Sequence, residues 1–248
     1  MPSPTPLPIV IARTGGTFPA LRERLSDFED WVQAGLAGTA APMLTVDAAQ
    51  GDGMPDPGAV AGVVVTGSHA MVTDRAPWSE ALGGWLARAV AAQTPVLGIC
   101  YGHQLLAHAL GGEVADHPGG WEIGTVEVRT APDTAGSDAL FAGLPGVFGA
   151  QVVHRQSVRR LPAGAVRLAG NAFEPHQAFR VGRCAWGVQF HPEFTPVAMR
   201  GYVDALAADV RRAGRDPEAL RDHVRATPEA CGLLERFARF CLSGGQAG

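Results

Sequence analysis

The sequence predicts a single α/β domain whose mixed, largely parallel central sheet is flanked by helices. Short runs rich in Val and Ile recur in the first hundred residues, each followed by a turn and a helical pattern. This order is typical of βαβ units in a parallel sheet buried on both faces. From about residue 121 apolar and polar residues alternate, which favours antiparallel strands. The length of 248 residues suits one sizeable core.

The N-terminal half supplies the predicted parallel strands. We expect them at residues 7–12, 43–46, 59–66 and 95–100. Apolar residues with helical spacing lie between or after these runs, at residues 21–36, 78–93 and 101–110. Each helix would cross one face of the sheet and return the chain to a parallel neighbour.

The C-terminal half is expected to add short strands and then helices. We expect strands at residues 121–130, 147–158, 166–170, 177–181 and 184–190, and helices at residues 197–212 and 229–241. The pairs Asp216-Pro217 and Thr227-Pro228 are typical of an N-cap followed by a first-turn proline. Because no linker or repeat divides the chain, we predict one domain over residues 7–242, with flexible ends at residues 1–6 and 243–248.

Composition excludes several classes of function. The net charge is −4 and basic residues do not cluster, which argues against nucleic acid as a partner. All 20 Lys and Arg positions are Arg, so no lysine is present for a Schiff base, a P-loop or general-base catalysis. The eight histidines lack the spacing of known metal-binding motifs. We therefore expect no metal and no cofactor.

Cysteine usage and hydropathy predict the compartment. The four cysteines are irregularly spaced and form no Cys-x-x-Cys pair, which fits a reducing cytoplasm. The N-terminus lacks the basic start and apolar core of a signal peptide, and no apolar run approaches the roughly 18 residues that span a bilayer. We expect a cytoplasmic protein that has no membrane partner.

Cys100 is the candidate nucleophile. It follows a predicted strand, precedes a predicted helix, and has Gly98 and Gly102 on either side. This is the pattern of a nucleophile elbow, in which small neighbours let strand and helix approach closely. The helix that begins about Tyr101 would favour a thiolate at its N-terminus. The alternative is an ordinary buried cysteine at the end of a core strand.

His191 is the candidate base. It stands at the C-terminal end of the predicted strand 184–190, and sites in open α/β sheets form at that edge. Glu193 lies two residues further on, close enough to orient the imidazole as the third member of a triad. A His-Pro-Glu tripeptide alone is more often a turn, so the prediction depends on its combination with the Cys100 elbow.

Two segments together carry a family resemblance. Gly98-Ile99-Cys100-Tyr101-Gly102-His103-Gln104, taken with His191-Pro192-Glu193, resembles the triad signature of class I glutamine amidotransferases, and motif order and spacing match over roughly residues 9–195. Three further segments resemble free-standing members related to the amidotransferase part of GMP synthase. They are Trp121-Glu122-Ile123-Gly124, His154-Arg155-Gln156-Ser157-Val158 and Gln177-Ala178-Phe179-Arg180.

The resemblance implies a flavodoxin-like fold and a triad of defined roles. Cys100 would attack the side-chain amide of glutamine. His191 would relay the proton and protonate the departing ammonia, while Glu193 holds His191. Water would then release glutamate from the thioester.

The resemblance also implies oxyanion and substrate contacts. The backbone N–H groups of Gly67 and Tyr101 would form the oxyanion hole. Gln104 would help to bind glutamine, and the segment 154–158, including Ser157, would contact its amino-acid head.

Three other histidines are expected to have no catalytic role. We predict that His103 and His108 are packed or exposed residues of the helix after Cys100. His69, which borders the expected oxyanion loop, is expected to face solvent or bind a neighbouring carbonyl.

Three functions remain open. The first is a glutaminase or amidotransferase subunit that feeds ammonia to a separate synthetase subunit, since no nucleotide-binding segment is present. The second is a stand-alone γ-glutamyl peptidase or hydrolase, because Thr66-Gly67-Ser68-His69 with Asp74 and Pro77-Trp78 resembles members that cleave γ-glutamyl peptides. Glutamine or another γ-glutamyl compound would be the substrate. The third is a non-catalytic regulatory protein, which the intact triad argues against.

Overall fold

The protein is described here by a computed structural model of residues 6–244. The ends that we expect to be flexible lie for the most part outside the described residues. No helix in this range is long and apolar enough to cross a membrane.

Strands and α-helices alternate through the first half of the described chain, and the second half adds mostly strands followed by helices. The strands are β1 (Ile9–Arg13), β2 (Met43–Asp47), β3 (Gly62–Val65), β4 (Val96–Ile99), β5 (Glu113–Asp116), β6 (Glu122–Thr130), β7 (Val147–His154), β8 (Gln156–Arg160), β9 (Val166–Gly170), β10 (Ala178–Val181) and β11 (Ala185–Val188). The helices are α1 (Pro19–Leu25), α2 (Phe28–Leu36), α3 (Pro77–Ala91), α4 (Tyr101–Ala109), α5 (Pro132–Ala135), α6 (Pro196–Ala205), α7 (Ala207–Arg212), α8 (Pro217–Asp222) and α9 (Pro228–Leu242).

One mixed sheet organises the described residues. Its strand order is β2-β1-β3-β4-β11-β10-β9-β6-β7. The strands from β2 to β11 pair in parallel, whereas β10, β9, β6 and β7 pair antiparallel. Strands β5 and β8 form a separate antiparallel pair. The predicted α/β fold with a mixed, largely parallel central sheet is confirmed.

The core lies on both faces of the sheet. Val63 and Val65 pack in one buried cluster with apolar residues of α3 and α4. Val64, between them, packs on the opposite face with residues of α2 and α9. Because successive side chains of a strand point to opposite faces, a run of valines is what a strand covered by helices on both sides requires.

Two predicted helices are each divided in the structure. The expected helix 21–36 is broken at Ser26, whose φ is 67°, and α2 starts afresh with Asp27 as its N-cap. The Asp27 carboxylate accepts the backbone N–H groups of Thr17 at 2.7 Å and Phe28 at 2.9 Å. The expected helix 197–212 is divided at Leu206 into α6 and α7. A side chain that caps a local turn can end a helix that hydrophobic spacing alone would continue.

Candidate active site

The predicted site residues meet at one edge of the sheet. Parallel strands β1, β3, β4 and β11 all end there, and they lead into Thr14, Gly67, Cys100 and His191. Strand β7 runs in the same direction, which brings His154 to the same edge. This is where side chains at strand ends converge in an open α/β sheet.

Cys100 occupies a strained turn between β4 and α4. Its φ of 50° and ψ of −97° are unusual for a residue that has a Cβ atom. A Cβ atom on Gly98 would lie 2.4 Å from the carbonyl oxygen of Gly102, and one on Gly102 would lie 2.5 Å from that of Val65. Both glycines are therefore required by close backbone approach, as the elbow predicts.

The Cys100 side chain lies at the N-terminus of α4. It is 7% exposed, and its Sγ atom lies 3.7 Å from the carbonyl oxygen of Val153. Unpaired amides at a helix N-terminus favour negative charge nearby. The Sγ atom is thus held between the carbonyl of Val153 and the first turn of α4.

His191 and Glu193 form a buried hydrogen-bonded pair. The Nδ1 atom of His191 lies 2.8 Å from Oε1 of Glu193, and the backbone N–H of His191 donates to the carbonyl of Gln151 at 2.8 Å. The Nε2 atom is buried and has no hydrogen-bond partner among residues 6–244. One nitrogen is therefore held by the carboxylate, and the other is free to exchange a proton.

The surroundings of His191 favour its protonated form. Burial lowers the pKa of His191. The nearby Glu193 and Cys100 raise it, and their combined effect is the larger one, so the net pKa is raised. A positive imidazolium beside a thiol is the electrostatic arrangement that activates a cysteine.

Gly67 lies next to both members of the expected proton-transfer pair. A Cβ atom there would lie 3.0 Å from Cε1 of His191 and 3.9 Å from Cβ of Cys100. Thr14, which we did not predict from sequence, holds this loop. Its Oγ1 lies 3.0 Å from the carbonyl of Thr66 and 2.9 Å from that of Gly67. Gly67 and the first-turn amide of Tyr101 thus flank Cys100, and their oxyanion role stays a prediction.

Gln104 lines the same cavity as Cys100 and His191. Its Nε2 donates to the backbone carbonyl of Gln156 at 2.8 Å and to Oε1 of Gln189 at 3.0 Å. The position suits the substrate contact that we predict for it.

Gln156, rather than Ser157, faces the cavity. Ser157 is fully buried and does not line the cavity, and its Oγ has no hydrogen-bond partner within the described residues. Gln156 does line it and is 4% exposed. Its Nε2 donates to Thr73 Oγ1 at 2.7 Å and to Asp116 Oδ1 at 2.9 Å, while its buried Oε1 has no partner in the same range.

A comparison with family models gives a match over residues 60–203 to the family described as glutamine amidotransferase class-I. This segment is more than half of the 248 residues, and it includes Cys100, His191 and Glu193. The chain belongs to this family. The resemblance noted from the motifs is confirmed.

Curated relatives of this amidotransferase domain include glutamine-hydrolysing GMP synthases. The enzyme of Aeropyrum pernix is 35% identical over 161 residues, which cover 65% of this chain and 29% of the relative. The enzyme of Leifsonia xyli is 46% identical over 101 residues, which cover 40% and 20%. The chain therefore spans less than a third of the length of these relatives.

Solved structures support the fold over nearly the whole amidotransferase domain. A glutamine amidotransferase from Thermotoga maritima has a TM-score of 0.73 and 22% identity, covering 95% of this chain and 98% of that one. One from Methylobacillus flagellatus has a TM-score of 0.77 and 24% identity, covering 98% and 97%.

The cavity of the amidotransferase domain has a volume of about 250 Å³. Besides the predicted residues, aromatic side chains line it: Phe18, Phe28, Trp121 and Tyr202. These positions come from separate loops and helices that only the fold brings together. Arg155 is the exposed cation of the lining, and it lies 3.5 Å from Asp116.

A second buried histidine–glutamate pair lies beside the cavity. The Nε2 atom of His154 is 2.8 Å from Oε2 of Glu122, and its Nδ1 is 3.0 Å from the carbonyl oxygen of Gln156. Glu122 also accepts hydrogen bonds from Gln177 at 2.8 Å and Asn171 at 2.7 Å. Both nitrogens of His154 are thus occupied.

The three histidines expected to be non-catalytic lie in different environments. His103 is fully buried against the ring of Phe179, and burial lowers its pKa to about 3. His108 is hydrogen-bonded to Glu80 at 3.2 Å. His69 is exposed at the mouth of the cavity, and its Nε2 lies 3.1 Å from the hydroxyl of Tyr202 rather than from a carbonyl.

No group of three or more His, Cys, Asp or Glu side chains in the described part of the chain is arranged to hold a metal ion. The four cysteines are free thiols.

Proposed function

We propose that this amidotransferase domain hydrolyses the γ-amide of glutamine to glutamate and ammonia through a thioester on Cys100. The main observation in support of this proposal is the hydrogen bonding and the pKa of His191. Its Nδ1 is bonded to Glu193, its buried Nε2 has no hydrogen-bond partner at normal distance within residues 6–244, and Glu193 and Cys100 both raise the pKa of the ring. A charged His191 beside the Cys100 elbow supports a nucleophile that is ready to react.

The proposed reaction has two halves. The thiolate of Cys100 attacks the amide carbon, a C–S bond forms, and the electron pair of the carbonyl moves to its oxygen. When the C–N bond breaks, nitrogen keeps the electron pair, takes a proton from His191 and leaves as ammonia. A water molecule then gives a proton to His191 and attacks the thioester carbon. The C–S bond breaks, sulfur keeps the electron pair, and glutamate is released with the Cys100 thiolate and the protonated His191 restored.

In this proposal the groups around Cys100 stabilise the oxyanion and bind the substrate. The N–H groups of Gly67 and Tyr101 stabilise the oxyanion. Gln104 and Gln156 bind the amino-acid head of glutamine, with the unpaired Oε1 of Gln156 as an acceptor for its ammonium group. Ser157 supports this strand from the opposite face.

The use of the ammonia forms a further part of the proposal. The relatives are GMP synthases that are more than three times as long as the matched segment. We propose that a separate synthetase subunit supplies the acceptor chemistry, and that the domain works in the cytoplasm without a nucleic acid or membrane partner.

A second candidate function is a stand-alone γ-glutamyl peptidase. It is favoured by the cavity volume of about 250 Å³ and by the mouth of the cavity, where His69 and Arg155 are exposed. Both functions use the same acyl-enzyme, so the leaving group alone separates them.

The test measures glutamate release from glutamine and from glutathione by the purified chain. We expect Cys100→Ala to lower kcat/KM by about 10⁴-fold or more, because removal of the nucleophile leaves only binding and the oxyanion hole. Cys184→Ala is the matched control, since Cys184 is buried beside Gln93 and Thr94 at the opposite end of the sheet. Undiminished turnover in Cys100→Ala would refute the proposal. Release from glutathione but not from glutamine would favour the peptidase.

A further inference from the structure

Four rings form one wall of the cavity beside His191. They belong to Phe18, Phe28, His69 and Tyr202, and we call this set the leaving-group box. Ring centroids lie 4.5 Å apart for Phe18 and His69, 5.2 Å for Phe18 and Tyr202, and 6.4 Å for Phe28 and Tyr202. Such distances are typical of rings in mutual contact.

The box lies next to His191, the residue that would protonate the leaving group. In the proposed reaction the departing nitrogen takes its proton from Nε2 of His191, so it must lie within hydrogen-bond reach of that atom. Phe28 stacks parallel to the His191 ring at 6.4 Å. Gln104 and Gln156, the polar pair assigned to the glutamyl head, line the same cavity from α4 and β8.

The polar atoms of the box partly satisfy one another. The Oγ1 of Thr17 donates to the hydroxyl of Tyr202 at 2.9 Å, and this hydroxyl also lies 3.1 Å from Nε2 of His69. Burial raises the pKa of Tyr202, so the hydroxyl stays protonated and can donate to His69. No aspartate or glutamate within residues 6–244 lines the cavity. The box therefore offers mainly ring carbon and no negative charge.

We propose that the leaving-group box selects γ-glutamyl substrates whose amine carries an uncharged aromatic or large apolar group. The inference rests on the proposed Cys100 chemistry and favours the second candidate function, in which the leaving group is larger than ammonia. The scissile C–N bond breaks as it does for glutamine, and the amine keeps the electron pair and takes a proton from His191. Its apolar group is then buried against Phe18 and Tyr202 rather than exposed to water.

The experiment compares γ-glutamylphenylalanine with γ-glutamylglycine, γ-glutamylputrescine and glutamine as substrates of the full chain. The first two substrates share the γ-glutamyl bond and the free carboxylate, and they differ in the benzyl group. We expect kcat/KM to be about tenfold higher for γ-glutamylphenylalanine than for γ-glutamylglycine, because a hydrophobic pocket discriminates at this level.

Variants of the box are compared by the ratio of their kcat/KM values for two substrates. Phe18 is half-buried, and Phe18→Ala removes one ring from the wall. We expect the ratio of kcat/KM for γ-glutamylphenylalanine to that for γ-glutamylglycine to fall by about tenfold in Phe18→Ala and much less in Phe18→Leu, which keeps an apolar side chain. Val147→Ala, a change at an exposed residue of β7, should leave the ratio unchanged.

The outcomes separate this inference from the proposed function. Equal kcat/KM values for the phenylalanine and glycine compounds, or a ratio of these values that Phe18→Ala does not change, would overturn the inference about the leaving-group box. Cys100-dependent glutamine hydrolysis would still stand. A preference for γ-glutamylputrescine would also overturn it, because the box would then bind a cationic amine. If no γ-glutamyl compound is cleaved in a Cys100-dependent manner, the proposed function and the inference both fail.

Discussion

Two buried histidine–glutamate pairs lie within one amidotransferase domain, and they differ in what the second ring nitrogen does. In the His191–Glu193 pair, Nδ1 is bonded at 2.8 Å, and Nε2 has no partner among the described residues. In the His154–Glu122 pair, Nε2 is bonded at 2.8 Å, and Nδ1 is also bonded, to the carbonyl of Gln156 at 3.0 Å.

The difference teaches how a reactive histidine can be told from a structural one. A histidine that exchanges protons needs one nitrogen to be oriented and the other to be open toward the reacting groups. His191 meets this condition at the end of β11. His154 does not, because both of its nitrogens link β6, β7 and β8 into one network. The same two residue types thus support chemistry at one site and strand packing at the other.

The same substitution at both glutamates tests this comparison, and Glu193→Gln should have the largest effect. Without the carboxylate, His191 loses the partner that fixes its tautomer and stabilises its charge. We expect kcat for glutamine to fall by about 10⁴-fold, on the scale found when a triad carboxylate is replaced by its amide. Steady-state kinetics would measure this fall, and circular dichroism would check that the variant is folded. Activity within threefold of native would contradict the role of Glu193.

Glu122→Gln should act mainly on stability. The carboxylate of Glu122 accepts hydrogen bonds from His154, Gln177 and Asn171, and an amide would turn one acceptor into a donor that faces other donors. We expect a loss of about 3 kcal/mol in the free energy of unfolding, since a buried pair would be broken from one side.

Urea denaturation would measure the stability of Glu122→Gln, and kcat of the folded variant provides the internal control. If Glu122→Gln abolishes kcat without lowering stability, the second pair has a chemical role and the distinction between the two pairs fails.

The elbow and the parallel strands could be predicted from the sequence because each is a local pattern. Gly98 and Gly102 lie next to Cys100 in the chain, and the backbone contacts that require them are made within a few residues or to the neighbouring strand. The break at Ser26 was not predicted, because the hydrophobic spacing continues across it. The break comes instead from the Asp27 carboxylate, which caps the start of α2.

Residues that depend on strand register could not be predicted in the same way. Glu122 pairs with His154 only because β6 and β7 align these two positions. Gln156 faces the cavity where we expected Ser157, since a shift of one residue along a strand moves a side chain to the other face. The rings of the leaving-group box come from four separate segments, and no local pattern connects them.

His103 is a third buried histidine and extends the comparison. The effect that we predict for it, on stability at low pH, is the smallest of the three. Within residues 6–244 His103 has no carboxylate partner of the kind that His191 and His154 have. Burial lowers its pKa to about 3, with a weaker opposing contribution from the Gly187 backbone. Its folded pKa lies below the unfolded value of 6.5. The neutral ring is therefore stable in the fold above pH 6.5, and this stability is lost as the pH falls from 6.5 toward 3.

His103→Leu, which cannot titrate, isolates that dependence. Relative to this variant, native protein should lose about 1 kcal/mol of unfolding free energy for each pH unit below 6.5. Urea denaturation of both proteins at pH 7, 6 and 5 would measure the difference. Curves that stay parallel over this range would contradict a buried neutral His103. A growing gap would show that, of the three buried histidines, the one without a carboxylate makes the fold sensitive to acid.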